Sequence, residues 1–388
     1  MKIKVDEKIN QKQIKVLNRA NILKAFREYE VVQKNDLVQM LGLSITTVTS
    51  NIKELLEEGL IESVGIAKST GGRKPIMLQF VKNALVSIGV DISPHRVSMI
   101  LTNLSSEIID HDDFKVENGD MTATLALVEE HINRLLKKHI IDKSRCVGVG
   151  LSLPGVVDEE KNILINAPNL KVENYSFEAF EASLGLPLYL ENEANVAAFA
   201  ELILGEAKQS DDVIYISITD GVGCGIITNH AVSKGSFKKA GEFGHMRISD
   251  KDIKCSCGRK GCWELFASER ALLKHYQEIS GDILPDLRAF FDEYSEGSSD
   301  VNEALSVYFD YLTIGIENIV LGLDPEKIII GGEIAKYLLE IEPFINEYMK
   351  RNHSILESND NKIVLSKLAP KSAVLGGSLL PLKDMFDF

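Results

Sequence analysis

Residues 245–264, HMRISDKDIKCSCGRKGCWE, hold three of the chain's five cysteines, with a histidine ten positions ahead of the first. One imidazole (His245) and three thiolates (Cys255, Cys257, Cys262) suit a tetrahedral Zn²⁺ with no open position, which is a structural rather than a catalytic site. A DNA-reading zinc finger fits poorly, because no second cysteine–histidine half follows. Carboxylates flank the cluster: Glu242 stands three residues before His245, and Glu264 two after Cys262. A metal here would tie down the segments that present both acids. Cys146 and Cys224 each sit alone in apolar strand context and read as core.

The surrounding chain is ordinary globular sequence of 388 residues, 45% hydrophobic and 26% charged, long enough for two or three domains. The N-terminus, MKIKVDEKINQKQIK, is charged and has no signal-peptide core, and no apolar run reads as a membrane span. A cytoplasmic protein is expected, and in that reducing compartment clustered cysteines favour a metal over disulfides. The net charge of −14 is unevenly spread. Residues 1–82 carry 14 Lys/Arg against 9 Asp/Glu, and the remaining 306 carry 29 against 48. A small basic module is joined to a large acidic one.

The basic module predicts a winged helix-turn-helix over residues 1–80. Residues 18–30 (NRANILKAFREYE) read as a helix with Ile22, Leu23 and Phe26 on one face. Asp36 to Leu41 is a short helix stopped at Gly42, and Ser44 caps a second helix. On that helix Val48, Ile52, Leu55 and Leu56 recur at helical spacing and are expected to face inward. Thr46, Thr47, Thr49, Ser50 and Lys53 are left mostly outside, and of these Thr46, Thr47, Ser50 and Lys53 are candidates for the DNA major groove. Leu60 to Val64 and Ile76 to Phe80 predict a β-ribbon whose loop carries Arg73 beside paired glycines, a candidate minor-groove residue. Residues 81–84 read as a linker.

From residue 85 strands alternate with helices, which predicts two α/β lobes with a ligand cleft between them. Eight segments run in order through this part: GLSLPGVVD, NAPNL, ENEANVAAFAE, TDGVGCGII, GEFGH, CSCGRKGCWE, DPEKIIIGGEIA and APKSAVLGGS. With them the chain resembles the repressor–open-reading-frame–kinase (ROK) family, on the two-lobed ribonuclease-H-like, actin-type sugar kinase fold. The resemblance covers nearly everything past residue 85. It implies a small lobe at about 85–191 with a C-terminal helix at about 373–388, and a large lobe at about 192–372 with the zinc site. It further implies that Asn192, Glu193, Glu242, His245 and Glu264 face sugar hydroxyls, the zinc bracing that surface.

Three classes compete: a kinase with a fused DNA-binding domain, a ligand-responsive repressor without kinase activity, and a constitutive DNA-binding or scaffold protein with a degenerate kinase body, against which the retained sugar-side residues argue. The family's kinases open with Asp-x-Gly-Gly-Thr-Lys, but here Asp91 is followed by Ile92-Ser93-Pro94-His95. Proline removes an amide donor, and bulky side chains block the approach of phosphates. The second phosphate turn of the family reads Gly-Thr-Gly; Thr219-Asp220-Gly221 puts a carboxylate there. Glu193 stands where the kinases carry a catalytic Asp beside the hexose hydroxymethyl group. Its extra methylene would intrude on that group and leave room for a pentose. The expectation is therefore a non-enzymatic, sugar-responsive repressor, with xylose as inducer and glucose as competitor. It would act as a homodimer or homotetramer on operator DNA.

Overall fold

The computed structural model describes residues 11–66, 76–342, 345, 348 and 362–388. At the N-terminus α1 (Gln11–Tyr29), α2 (Lys34–Leu41) and α3 (Ile45–Glu57) enclose Leu23, Phe26, Leu37, Val48, Ile52 and Leu55. The antiparallel strands β1 (Val31–Gln33), β2 (Ile61–Ile66) and β3 (Ile76–Phe80) pair in the order β1-β3-β2. Gly42 ends α2 in the left-handed region at φ 64°, where a Cβ would be strained. The Ser44 hydroxyl accepts from the Thr47 amide at 3.1 Å and so caps α3.

Two details depart from expectation. Leu56 is exposed rather than inward, because Ile52 and Leu55 already fill the inner face and each helical step turns about 100°. α1 starts well before residue 18, since Lys15 and Arg19 pair with Glu54 and Glu58 of α3, a charged contact that apolar periodicity does not report.

The body consists of two lobes. In the first, β4 (Val86–Ile92), β5 (Arg96–Asn103) and β6 (Ile108–Lys115) form an antiparallel meander. β7 (Cys146–Leu153) joins β4 in parallel, and β11 (Leu188–Asn192) joins β7 in parallel. α4 (Met121–Lys138) and α5 (Glu178–Leu184) pack on this sheet. A small separate sheet of β8 (Val156–Asp158), β9 (Ile163–Ala167) and β10 (Val172–Ser176) was not foreseen.

The second lobe repeats the pattern. Its strands β12 (Val213–Ile218), β13 (Val222–Thr228), β14 (Ala231–Val232), β15 (Lys327–Gly331) and β16 (Lys362–Leu365) lie in the order β14-β13-β12-β15-β16. The first sheet, β6-β5-β4-β7-β11, has the same sequence of hairpin neighbours and parallel additions. α7 (Glu264–Ala267), α8 (Glu269–Ser280), α9 (Leu287–Ser295), α10 (Ser299–Leu323) and α11 (Ala335–Leu338) complete this lobe. α10 is long and apolar enough to cross a membrane. Its Leu305, Tyr308, Phe309, Leu312 and Ile316 are all buried in the lobe's core, which makes it a core helix.

Between the two sheets lie α6 (Glu193–Leu204) and α12 (Ser372–Leu379). Ala197, Ala198, Val374 and Leu375 pack there with Ile100 of the first sheet and Tyr215 and Ile329 of the second. Contact is backbone-close: a Cβ on Gly376 would stand 1.9 Å from the Val196 carbonyl, and one on Gly150 2.0 Å from the Gly377 carbonyl. Glycine is required at both by close approach rather than by a turn.

The C-terminal segment divides its contacts. α12 packs on β4 and β7 of the first lobe, while α13 (Lys383–Phe386) packs on α1 of the winged helix. Phe386 is buried with Phe80 and Leu104. Residues 81–84 are bonded on both sides: the Val81 amide donates to the Leu60 carbonyl, the Leu104 amide donates to the Lys82 carbonyl, and Arg145 donates to the Asn83 and Ala84 carbonyls.

Candidate functional site

His245, Cys255, Cys257 and Cys262 offer four ligand atoms that lie within 4.8 Å of one another, and this is the one such group among the described residues. Gly258, at φ +85°, sits in a turn that reverses the chain after Cys257: its amide donates to the Cys255 carbonyl at 3.0 Å, and the Cys255 amide donates to the Arg259 carbonyl at 2.8 Å. The Cys257 and Cys262 sulfurs are 3.7 Å apart, and His245 Nδ1 is 3.5 Å from the Cys255 sulfur. Two sulfurs each about 2.3 Å from a tetrahedral zinc would be about 3.8 Å apart, so the donor set fits such an ion. The group could hold a metal ion through Nδ1 of His245, which leaves Nε2 free.

That second nitrogen points the other way. His245 Nε2 is 3.7 Å from Glu242 Oε2, while Nδ1 is 3.6 Å from Glu264 Oε1. The 3-10 turn Glu242–His245 and the start of α7 thus bring Glu242, His245 and Glu264 together beside the cysteines. A Cβ on Gly221 would approach Glu264 Oε2 to 3.0 Å, so Glu264 also lies against the β12–β13 turn.

Glu193 enters from the N-terminus of α6. A Cβ on Gly223 would lie 3.7 Å from its Oε1, which puts the side chain over β13. Burial first, then the charges of Asp91, Asp220 and Glu242, push its carboxyl up to about 8. Glu193 therefore keeps its proton at neutral pH and can donate a hydrogen bond. Asp91 is raised by burial to about 6, against the bond it accepts from the Ser152 hydroxyl at 2.5 Å. Asn192 also has structural partners. Its Oδ1 accepts from the Ala194 and Asn195 amides, and its Nδ2 donates to the Gly155 carbonyl, which makes it the N-cap of α6.

The two segments expected to differ from the family's phosphate turns are both tight turns between paired strands. The Ser93 amide and hydroxyl donate to the Arg96 carbonyl at 2.9 and 2.8 Å, forming a hairpin turn between β4 and β5. At the other position the Thr219 amide donates to the Gly221 carbonyl, and Arg270 donates to the Asp220 carbonyl.

On the N-terminal module, Ile45, Thr46, Thr49, Ser50 and Lys53 line one shallow, open face of α3. Thr46, Thr49, Ser50 and Lys53 were expected on this outer face. Thr47 is half-buried, its hydroxyl 2.8 Å from that of Ser44, so the cap occupies it. The expectation missed Ile45, which is exposed at the start of the helix although it is apolar. Arg73 lies outside the described residues.

Residues 87–384 match the ROK family, and residues 18–62 match a winged helix-turn-helix DNA-binding family. The chain is 31% identical over 380 residues to a protein named xylose repressor of Bacillus spizizenii, covering 96% of this chain and 97% of that one. It is 30% identical to the xylose repressor of Bacillus subtilis, with the same coverage. An N-acetylglucosamine repressor of Escherichia coli is 28% identical over 67% of this chain. Among solved structures, a ROK family transcriptional regulator homologous to the E. coli MLC protein aligns with TM-score 0.81 at 23% identity, covering 96% of this chain and 97% of that one. A ROK family glucokinase from Streptomyces griseus aligns with TM-score 0.68 at 22% identity, covering 76% and 98%. The chain belongs to the ROK family and carries an N-terminal winged helix-turn-helix.

Proposed function

We propose that this chain is a sugar-responsive transcriptional repressor whose operator binding is relieved by an aldose, most simply xylose. The observation that carries the reading is the pairing of two surfaces on one chain. One is the exposed polar face of α3; the other gathers Glu242, His245 and Glu264, with Glu193 near enough to feel the charge of Glu242. Its relatives at 30–31% identity over nearly the whole chain are named xylose repressors, which supports the same reading.

In this reading α3 enters the major groove and the ribbon, with Arg73, reaches the minor groove. Zn²⁺ on His245, Cys255, Cys257 and Cys262 braces the sugar surface. His245 Nε2, Glu242 and Glu264 offer partners to sugar hydroxyls, and neutral Glu193 donates one bond. Asn192 serves that surface by holding the start of α6. Glu193, protonated at neutral pH, is a poor base, and Pro94 removes an amide donor while Asp220 adds a carboxylate where ATP phosphates would sit. The domain therefore binds sugar without phosphorylating it. A homodimer would place two α3 helices on a palindromic operator, in the cytoplasm where the DNA is.

Sugar binding shifts operator affinity only by its differential affinity for two states, so the operator must weaken sugar binding reciprocally. The test is calorimetric titration with an aldose panel, followed by operator binding with each hit. Xylose should bind and release DNA. Failure of every aldose to bind, or binding without effect on DNA, sinks the inducer reading. Turnover of ATP with any aldose, abolished in Glu193→Ala, sinks the non-enzymatic one.

A further inference from the structure

The turn that carries Asn192 and Glu193 belongs to the first lobe, yet a cation from the second lobe holds it. Lys234 lies in the loop that follows β14. Its ammonium is 2.8 Å from Glu159 Oε1 and pairs directly with Glu191 Oε2. Both acids belong to the first lobe: Glu159 follows β8, and Glu191 is the penultimate residue of β11. Lys238, in the same loop, reaches Glu159 Oε1 at 2.6 Å. Two lysines of one lobe therefore converge on two carboxylates of the other.

Glu191 links this pairing to the site. It is only 8% exposed, and its Oε1 accepts from the Asn192 amide at 2.9 Å and from Asn195 Nδ2 at 3.3 Å. The chain of contacts runs from Lys234 through one buried carboxylate to the first turn of α6. The loop is also held against its own preference: Lys238 sits at φ +57°, a region that residues other than glycine adopt at a cost. Such a conformation persists where surrounding contacts over-determine it, and the Glu159 pairing is such a contact. A carboxylate as enclosed as Glu191 is strongly disfavoured once its partner is removed.

We propose that Lys234 is a positioning residue for the sugar site, setting the Asn192–Glu193 turn through Glu191, while Lys234, Lys238 and Glu159 strap the two lobes together. This rests on the reading of Glu193 as a sugar contact. Its consequence is that lobe spacing and the orientation of Glu193 are fixed by one set of charges, so sugar affinity and lobe closure vary together.

The test uses the full chain with Lys234→Gln, Lys234→Arg, Glu191→Gln and the double variant Lys234→Gln/Glu191→Gln. Amide hydrogen exchange at Asn192, Ala194 and Asn195 is measured together with xylose affinity by calorimetry. Lys234→Gln should speed exchange at these amides and weaken xylose by about tenfold or more, about 1.4 kcal/mol. Lys234→Arg should restore both. The double variant should recover much of the loss, because no bare buried carboxylate remains. Unchanged exchange at the three amides in Lys234→Gln overturns the proposal. So does faster exchange spread evenly through both lobes without rescue by arginine, which marks a merely structural lysine. If the unmodified chain binds no aldose, the sugar reading fails, and the exchange measurement still decides whether Lys234 holds the turn.

Discussion

The guanidinium of Arg27, on α1 of the winged helix, stands 4.7 Å from the ring centroid of Phe388 and 5.2 Å from that of Phe386. It also donates to the Ser106 hydroxyl at 2.9 Å. Burial pulls its pKa down to about 10, so it stays charged. Phe388 in turn meets Phe199 of α6 edge-on at 6.3 Å, and Glu193 begins that same helix. The DNA-binding module and the helix bearing Glu193 are thus joined through one aromatic segment. Arg27→Ala should cost roughly 2 kcal/mol, the upper range of a desolvated cation–π contact. Thermal unfolding and exchange within α1 measure this, and a double-mutant cycle with Phe388→Ala isolates the pair. Additive losses would show that the two residues do not interact.

Metal removal has a built-in reporter. Trp263 is the chain's single tryptophan, follows Cys262 directly, and is fully buried with its indole donating to the Tyr311 carbonyl at 3.0 Å. Elemental analysis should find one zinc per chain. Chelation, or Cys257→Ser, should shift Trp263 emission to the red and weaken sugar binding, while amide exchange within α1, α2 and α3 stays unchanged. Zinc-free protein with unchanged emission and sugar affinity would refute the site.

The pH dependence follows from Glu193. Its carboxyl has a reference value of 4.5 and is raised to about 8 when folded. Between those values the folded chain binds more protons than the unfolded one, so this group's contribution to stability falls as pH rises through the interval. Above about 8 it becomes a charge among Asp91, Asp220 and Glu242. Melting temperature should decline between pH ~5 and pH ~8 and sugar affinity from neutral pH to pH ~9, and Glu193→Gln should flatten both declines. An equal slope in that variant would assign the effect elsewhere.

Sugar choice tests the same side chain by length. If the extra methylene of Glu193 excludes the hexose hydroxymethyl group, Glu193→Asp should shift preference toward glucose. A single methylene in a pocket discriminates by roughly 10–200-fold, so calorimetry with xylose and glucose should see the change easily. Xylose binding no tighter than glucose in the unmodified chain would end the argument from length and leave the sugar sensor standing.

On DNA, Lys53 is exposed and only loosely paired with Glu57 at 3.7 Å. Lys53→Ala should weaken all sequences alike and lower the salt slope by about one, as expected for one phosphate contact. Thr46→Ala and Ser50→Ala should instead lose discrimination among operators. Thr47→Ala should act through stability, because its hydroxyl belongs to the Ser44 cap. A chain lacking residues 1–80 that still binds operator would remove the assignment.

Local chemistry was legible in the sequence because it depends on neighbours in the chain. Gly42 and Ser44 mark the turn and cap of α3 by backbone conformation and hydrogen bonding alone. The spacing of Cys255, Cys257 and Cys262 brings three sulfurs together through a short loop, and strand and helix periods located the two repeated lobes. Other features depend on residues far apart in sequence, and only the tertiary structure decided them. Asn192 caps α6 and bonds Gly155, contacts that arise because β11 delivers it to the start of that helix. The proton on Glu193 comes from enclosure and from Asp91, more than a hundred residues away. Lys234 and Lys238 carry no local signal; only the packing of the second lobe on the first sets them against Glu159 and Glu191. Arg27 meets Phe388 across nearly the whole chain. Propensity and spacing act within a few residues, whereas burial, ion pairing and pKa shifts arise only when packing excludes water from groups the sequence keeps apart.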